Sequence, residues 1–132
     1  MIVVDANVII YLVLHGPNTS VAEKVAEKDG DWRSPIIWRS EVLNTLAGYL
    51  RRGEAREAIL GFFRNAEDWI KADILIDVAR VLTLVERSDC TAYDCEYVAA
   101  AESLRCPLIT NDKQIIRNFP NVALTMSDFL GL

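Results

Sequence analysis

The sequence is divided into short runs of branched apolar residues, separated by longer segments with helical periodicity. Residues 2–4 are Ile-Val-Val, and residues 108–109 are Leu-Ile, each closely followed by polar residues. Runs of this length and composition are typical of strands that are buried on both faces of a parallel sheet. Strands that alternate with helices predict an α/β domain, because the connecting helices must cover the sheet.

The predicted elements follow one another along the whole chain. Thr19 or Ser20 can cap the second helix, and Gly53 follows the end of the third. We predict strands at residues 2–5, 32–37 (centred on 35–37), 107–110 and 122–124. We predict helices at residues 6–14, 19–28, 40–52, 54–66, 75–87, 91–104 and 113–118, with a turn of helix or a loop at 127–130. This order predicts a three-layer α/β/α domain with a central, mainly parallel sheet of four or five strands.

Composition favours one domain without a membrane segment. The chain has 132 residues, of which 52% are apolar and 25% charged, so residues 1–132 are predicted to form a single domain. No apolar run approaches the roughly 18–20 residues that span a bilayer, and no basic region precedes the first apolar run, so we expect no signal peptide. Cys90, Cys95 and Cys106 lack Cys-x-x-Cys spacing and indicate reduced thiols in a cytoplasmic protein.

Four carboxylates lie where a parallel sheet places its ligands. Asp5 follows the first predicted strand, Glu41 comes just after the second, and Asp112 just after the third. Asp94 lies in the first turn of the helix that leads into the third strand. Ligands of such sheets bind beyond the carboxyl ends of the strands, so the four side chains are predicted to converge. Clustered carboxylates repel one another, and such a cluster usually holds a hard divalent cation.

Each acid also has an ordinary structural explanation. Asp5 can cap the helix that follows it, and Glu41 suits the first turn of a helix. Asp94 resembles the last position of a capping box that begins at Thr91, and Asp112 can belong to a turn. For any single acid these explanations are at least as good as a functional one, so the prediction of a site depends on the whole set.

Polar neighbours accompany two of the acids. Asn7 lies two residues after Asp5, and Thr110 lies two residues before Asp112. An amide or a hydroxyl next to a carboxylate can bind a water molecule or a metal-bound oxygen. These neighbours strengthen the prediction that the strand ends form a metal site.

The four acidic segments, taken in order, resemble the motifs of the PIN-domain ribonucleases, and in particular the VapC-like toxins of toxin–antitoxin modules. The resemblance covers essentially the whole chain, although residues 54–88 add no independent support. The matching segments are Val3-Val4-Asp5-Ala6-Asn7, Ser40-Glu41-Val42, Ala92-Tyr93-Asp94 followed by Tyr97-Val98-Ala99-Ala100-Ala101-Glu102, and Leu108-Ile109-Thr110-Asn111-Asp112.

The resemblance implies a catalytic metal site. Asp5, Asp94 and Asp112 would be the main ligands of Mg²⁺ or Mn²⁺, and Glu41 would bind directly or through water. The two polar neighbours would support them, and the four acids would form the catalytic site of an endoribonuclease. The resemblance also implies an RNA substrate, a cognate antitoxin protein and a homodimer.

Residues for other mechanisms are scarce. His15 is the only histidine, so an acid–base ribonuclease with two histidines is excluded, and we expect His15 to be an ordinary surface or turn residue. The sequence contains neither a Gly-x-Ser-x-Gly elbow nor a Gly-x-x-x-x-Gly-Lys phosphate loop.

The net charge of −5 disfavours general binding of polyanions through a basic surface. Setting the four acids aside leaves 14 basic and 15 acidic residues, so RNA would need local basic groups. Lys113 and Arg117 follow Asp112 closely and are the candidate RNA contacts. The three tryptophans could stack on bases, but we expect them to be buried instead. They are Trp32, Trp38 and Trp69.

Two alternative functions remain open from the sequence. One is a PIN-domain nuclease with a housekeeping role in RNA processing, and the other is a catalytically silent PIN-like binding module. The apolar faces of the third and fourth helices, with Phe62 and Phe63, could pack within the domain or bind a second copy or an antitoxin.

Overall fold

One parallel sheet runs through the molecule. The computed structural model describes all 132 residues. Its strands are β1 (Ile2–Val4), β2 (Trp32–Pro35), β3 (Ile70–Ile74), β4 (Leu108–Ile109) and β5 (Ala123–Leu124). They lie in the order β3-β2-β1-β4-β5, and every neighbouring pair is parallel.

Eight helices flank this sheet. They are α1 (Ala6–Val13), α2 (Thr19–Lys28), α3 (Trp38–Arg51), α4 (Arg56–Trp69), α5 (Val78–Glu86), α6 (Ala92–Leu104), α7 (Lys113–Asn118) and α8 (Met126–Leu130). α6 packs on β1, β2 and β4 and contacts α5, whereas α1 contacts α2, α3 and α4. The predicted α/β fold is therefore confirmed. None of the helices combines the length and apolar character needed to cross a bilayer.

β3 is the strand that the sequence did not reveal. It pairs with β2 at the edge of the sheet, and its residues alternate between more and less buried positions. Lys71 and Asp73 interrupt the apolar pattern, because one side of an edge strand faces solvent. The sheet thus has five strands, at the upper end of the predicted four or five.

The predicted centre of β2 is wrong. β2 ends at Pro35, residues 36–37 form a turn, and α3 begins at Trp38 instead of residue 40. Proline has no N–H to donate to a strand ladder, so a strand ends readily there. The two isoleucines that suggested a strand instead connect β2 to α3.

Two helix boundaries differ from the prediction by three residues. α4 extends to Trp69, beyond the predicted end at residue 66. α5 begins at Val78 instead of residue 75, because Asp77 caps it by accepting the N–H of Arg80 at 3.3 Å. Leu75, which the prediction placed inside the helix, is 84% exposed.

Trp38 links α3 to the core and to the edge strand. Its side chain is fully buried and stacks on Phe63 of α4, with ring centroids 5.7 Å apart. Its Nε1–H donates to Oδ1 of Asp73 on β3 at 2.6 Å. Trp32 is also fully buried and packs on the half-buried Trp69. The expectation that the tryptophans are buried is confirmed for Trp32 and Trp38.

We expect Trp38→Ala to lower the free energy of unfolding by about 3–5 kcal/mol, because it leaves a large cavity in the core. Trp38→Phe, which keeps most of the ring volume, should cost less. Urea unfolding measures both. A loss below about 1 kcal/mol for the alanine variant would contradict the role of this side chain as an anchor.

Candidate active site

Asp5 lies at the carboxyl end of β1 and is the N-cap of α1. Its Oδ1 accepts the N–H of Ala6 at 2.7 Å, and its Oδ2 accepts the hydroxyl of Thr110 at 2.6 Å. The amide of Asn7 also approaches Oδ2, at 3.4 Å. The parallel pairing of β1 with β4, in which Val4 faces Ile109, brings these residues together.

Asp112 is hydrogen-bonded to the hydroxyl of Thr110 as well. Its backbone N–H donates to Oγ1 of Thr110 at 3.0 Å. Its carboxylate caps α7, since Oδ1 accepts the N–H groups of Gln114 at 2.8 Å and of Ile115 at 3.3 Å. Thr110 therefore connects the strand ends that carry Asp5 and Asp112.

Asp94 completes the capping box of α6. Its Oδ2 accepts the N–H of Thr91 at 3.3 Å, and its own N–H donates to Oγ1 of Thr91 at 3.1 Å. Oδ1 of Asp94 takes part in no hydrogen bond of the protein. The capping role and a place in the site are therefore compatible.

Glu41 lies in the first turn of α3. Its Oε1 accepts the hydroxyl proton of Tyr97, on α6, at 2.6 Å. The side chain of Glu41 is held by this contact and not by a helix cap.

All four acids line one cleft of about 460 Å³. Thr110 is fully buried below it, whereas Lys113 and Arg117 are exposed on α7 and do not line it. No lysine or arginine is among the lining residues. The complete lining is Asp5, Ala6, Asn7, Ile10, Tyr11, Glu41, Asn44, Thr45, Asp94 and Asp112.

The acids disturb one another's ionisation. Burial raises the pKa of Asp5 from 3.8 to about 7, against the opposing effect of the Thr110 hydrogen bond, and the charges of Glu41 and Asp94 raise it further. The pKa of Glu96 is also raised, by burial and by Glu41. The cleft therefore concentrates negative charge that no side chain of the protein neutralises.

The donor atoms of the cleft suit a hard cation. No three acidic, histidine or cysteine side chains lie close enough together in the structure to hold a metal ion. Carboxylate, amide and hydroxyl oxygens nevertheless surround the space, and no histidine or cysteine does. Mg²⁺ keeps several of its water molecules when it binds to proteins, so carboxylates spread around a cleft fit it better than they fit zinc.

Several polar residues of this cleft were not predicted from the sequence. Asn44 and Thr45 lie one turn after Glu41 on α3, and Tyr11 lies one turn after Asn7 on α1. Tyr11 accepts the side-chain N–H of Asn111 at 2.8 Å through its hydroxyl. Spacing of three or four residues from Glu41 or from Asn7 on the same helix could have revealed them.

Two further side chains lie at the surface. Tyr93, next to Asp94, is 59% exposed, because the first turn of α6 projects into solvent. His15 is exposed beyond α1, as expected of a surface residue.

Comparison with known sequences identifies the family, since the PIN domain profile matches residues 2–121. The chain belongs to the PIN domain family. The PIN domain is similar to ribonuclease VapC3 of Pyrobaculum aerophilum, with 29% identity over 127 residues that cover 90% of this chain and 95% of the relative. The resemblance found in the sequence motifs is thus confirmed.

Solved structures show the same fold. The protein PAE2754 of Pyrobaculum aerophilum superposes with a TM-score of 0.76 and 24% identity, covering 98% of this chain and 93% of that chain. A toxin–antitoxin complex from Klebsiella pneumoniae gives a TM-score of 0.67 and 19% identity, covering 96% and 98%.

We expect Asp5→Asn to stabilise the metal-free PIN domain above pH 7, because the amide has no charge to bury. The folded protein binds the Asp5 proton more tightly than the unfolded chain does, so the free energy of unfolding falls as the pH rises from about 4 to about 7. At pH 8 the variant should be more stable than the wild-type protein by about 2–4 kcal/mol. Urea unfolding with a chelator present measures this.

The same variant at pH 4 is the internal control. At that pH the carboxyl of Asp5 is protonated in the folded wild-type protein and is uncharged, as the amide of the variant is, so the two proteins should have nearly equal stability. A stability difference that does not change between pH 4 and pH 8 would contradict the raised pKa of Asp5.

Proposed function

We propose that this PIN domain is an endoribonuclease that depends on Mg²⁺ or Mn²⁺ and acts as the toxin of a toxin–antitoxin pair. The observation that carries the proposal is the convergence of four carboxylates on one cleft that no lysine or arginine side chain lines. The similarity to a protein named ribonuclease VapC3 and to a toxin–antitoxin complex supports it. We also propose that residues 1–132 act as a single domain, in the cytoplasm, where its three free cysteines would stay reduced.

Asp5, Asp94 and Asp112 would hold the cation, and Glu41 would bind it directly or through water. A bound divalent cation supplies a water molecule that ionises more easily and offsets charge on the phosphodiester. Its binding would also neutralise the carboxylates, which otherwise repel an RNA phosphate.

The remaining residues of the cleft have distinct tasks. Thr110 would hold Asp5 in place through its hydroxyl, and Asn7 would support the same carboxylate. The polar groups of Asn44 and Thr45 line the open part of the cleft and could bind the sugar or a base of the RNA. Lys113, with Arg117 one turn later, would attract the RNA backbone from the rim.

We predict that Asp94→Asn lowers Mn²⁺-dependent RNA cleavage more than about 100-fold, because it removes a ligand charge while keeping the side-chain shape. Asp5→Asn should have the same effect. Cleavage of RNA is measured with purified protein, and growth is followed after induction in cells. Both variants should keep cooperative unfolding.

Asp128→Asn is the matched control. Thr125 and Asp128 repeat the spacing of Thr91 and Asp94 at the start of α8, with the N–H of Asp128 donating to Thr125 at 3.0 Å. Asp128 is exposed and lies outside the cleft, so its variant should cleave RNA normally. Full activity of the Asp94→Asn protein would refute the site assignment, and absence of Mn²⁺ binding by the wild type would favour a silent binding module.

Two exposed apolar surfaces support the proposed partners. Leu43 and Leu50 lie two turns apart on one face of α3, and we propose this α3 surface as the antitoxin site. Leu75, Val78 and Leu82 form a second exposed set at the start of α5, and we propose this α5 surface as the homodimer contact. Exposed apolar groups of this kind commonly mark protein interfaces.

We predict that Leu43→Glu prevents binding of a cognate antitoxin, because a charge would be buried without a partner. We predict that Val78→Asp converts a dimer into a monomer for the same reason. Calorimetry measures the first, and sedimentation the second. Each variant is the control for the other, since the two substitutions lie on different helices. An unchanged affinity or an unchanged mass would reject the respective surface.

A further inference from the structure

A buried tyrosine holds Glu41, the one acid of the cleft that does not cap a helix. Tyr97 is 1% exposed, and its hydroxyl donates to Oε1 of Glu41 at 2.6 Å, joining α6 to α3 across 56 residues of sequence. No other group of the protein donates to the side-chain carboxylate of Glu41. The orientation of this carboxylate therefore depends on one hydroxyl.

The chemistry of the pair fixes the direction of the hydrogen bond. A phenol has one proton to donate, and an ionised carboxylate can only accept. The proton of Tyr97 is thus committed to Oε1, and Oε2 is left without a partner in the protein. One oxygen of Glu41 is anchored, and the other remains available at the cleft.

The position of Tyr97 in α6 adds to this arrangement. Tyr97 lies three residues after Asp94, and residues at this spacing share one face of a helix. The same face of α6 therefore carries one acid of the cleft and the donor that holds a second acid. A small rotation of α6 would displace both groups together.

We propose that Tyr97 is a positioning residue for the cation, acting through Glu41. This rests on the proposed metal-dependent function. Glutamate has more rotatable bonds than aspartate, and ordering a long side chain costs conformational entropy. The hydroxyl of Tyr97 restricts Glu41 before a cation arrives, as Thr110 restricts Asp5. Partners that orient metal ligands in this way typically change metal affinity about 10–100-fold when they are removed.

The test is Mn²⁺ binding to Tyr97→Phe, measured by calorimetry. This substitution removes only the hydroxyl and keeps the buried ring, so cooperative thermal unfolding should be retained. We expect the dissociation constant for Mn²⁺ to rise about 10-fold. RNA cleavage by this variant should be slower than that of the wild type at limiting Mn²⁺ and should recover as Mn²⁺ approaches saturation, because the substitution weakens occupancy of the site by the cation. Tyr49→Phe, which removes an exposed hydroxyl from the far end of α3, should match the wild type.

A double-mutant comparison separates positioning from packing. In a Glu41→Ala background the hydroxyl has no carboxylate to hold, so adding Tyr97→Phe should not change Mn²⁺ affinity further. A change of equal size in both backgrounds would overturn the proposal, as would wild-type affinity in Tyr97→Phe alone. If the wild-type protein itself binds no Mn²⁺, the proposed function fails and this inference fails with it.

Discussion

The parallel pairing of β1 with β4 is the contact on which the cleft depends. Because Val4 lies opposite Ile109, the next residues of the two strands meet, and Thr110 donates its hydroxyl to Asp5. The same hydroxyl accepts the N–H of Asp112. A slip of one residue in this register would turn the threonine to the other face of the sheet. Two acids that are 107 positions apart in sequence are thereby fixed relative to one hydrogen-bonding group.

The clustered acids of the cleft lower the free energy of unfolding of the domain. Asp5 is nearly buried and close to other acids, so its ionised form is disfavoured. Helix N-termini and hydroxyl groups offset part of this cost, because each carboxylate accepts at least one hydrogen bond. Repulsion between the acids remains, and a cation is the group that would relieve it. In the metal-free protein, strain of this kind is expected at a functional site and not in an ordinary core.

The sequence revealed the strand ends more readily than the contacts between helices. Asp5 and Asp112 follow buried apolar runs, so the rule that ligands bind at the carboxyl ends of parallel strands was enough to place them. β3 was missed because an edge strand that is half exposed has no continuous apolar run. Tyr97 was not assigned a role, because its contact with Glu41 depends on how α6 packs beside α3, and local periodicity carries no information on that distance.

Helix capping and the proposed metal binding do not compete for these carboxylates, because each uses a different oxygen. A capping carboxylate uses one oxygen to satisfy the backbone, as Asp94 does for Thr91 and Asp112 does for Gln114. In these two acids the second oxygen is held in a fixed direction and accepts no hydrogen bond from the protein, whereas the second oxygen of Asp5 accepts the hydroxyl of Thr110. A helix cap at the edge of a parallel sheet is therefore a means of presenting an oriented oxygen to the cleft. Glu41 lies inside a helical turn and cannot be oriented by capping, so its orientation has to come from a neighbouring helix.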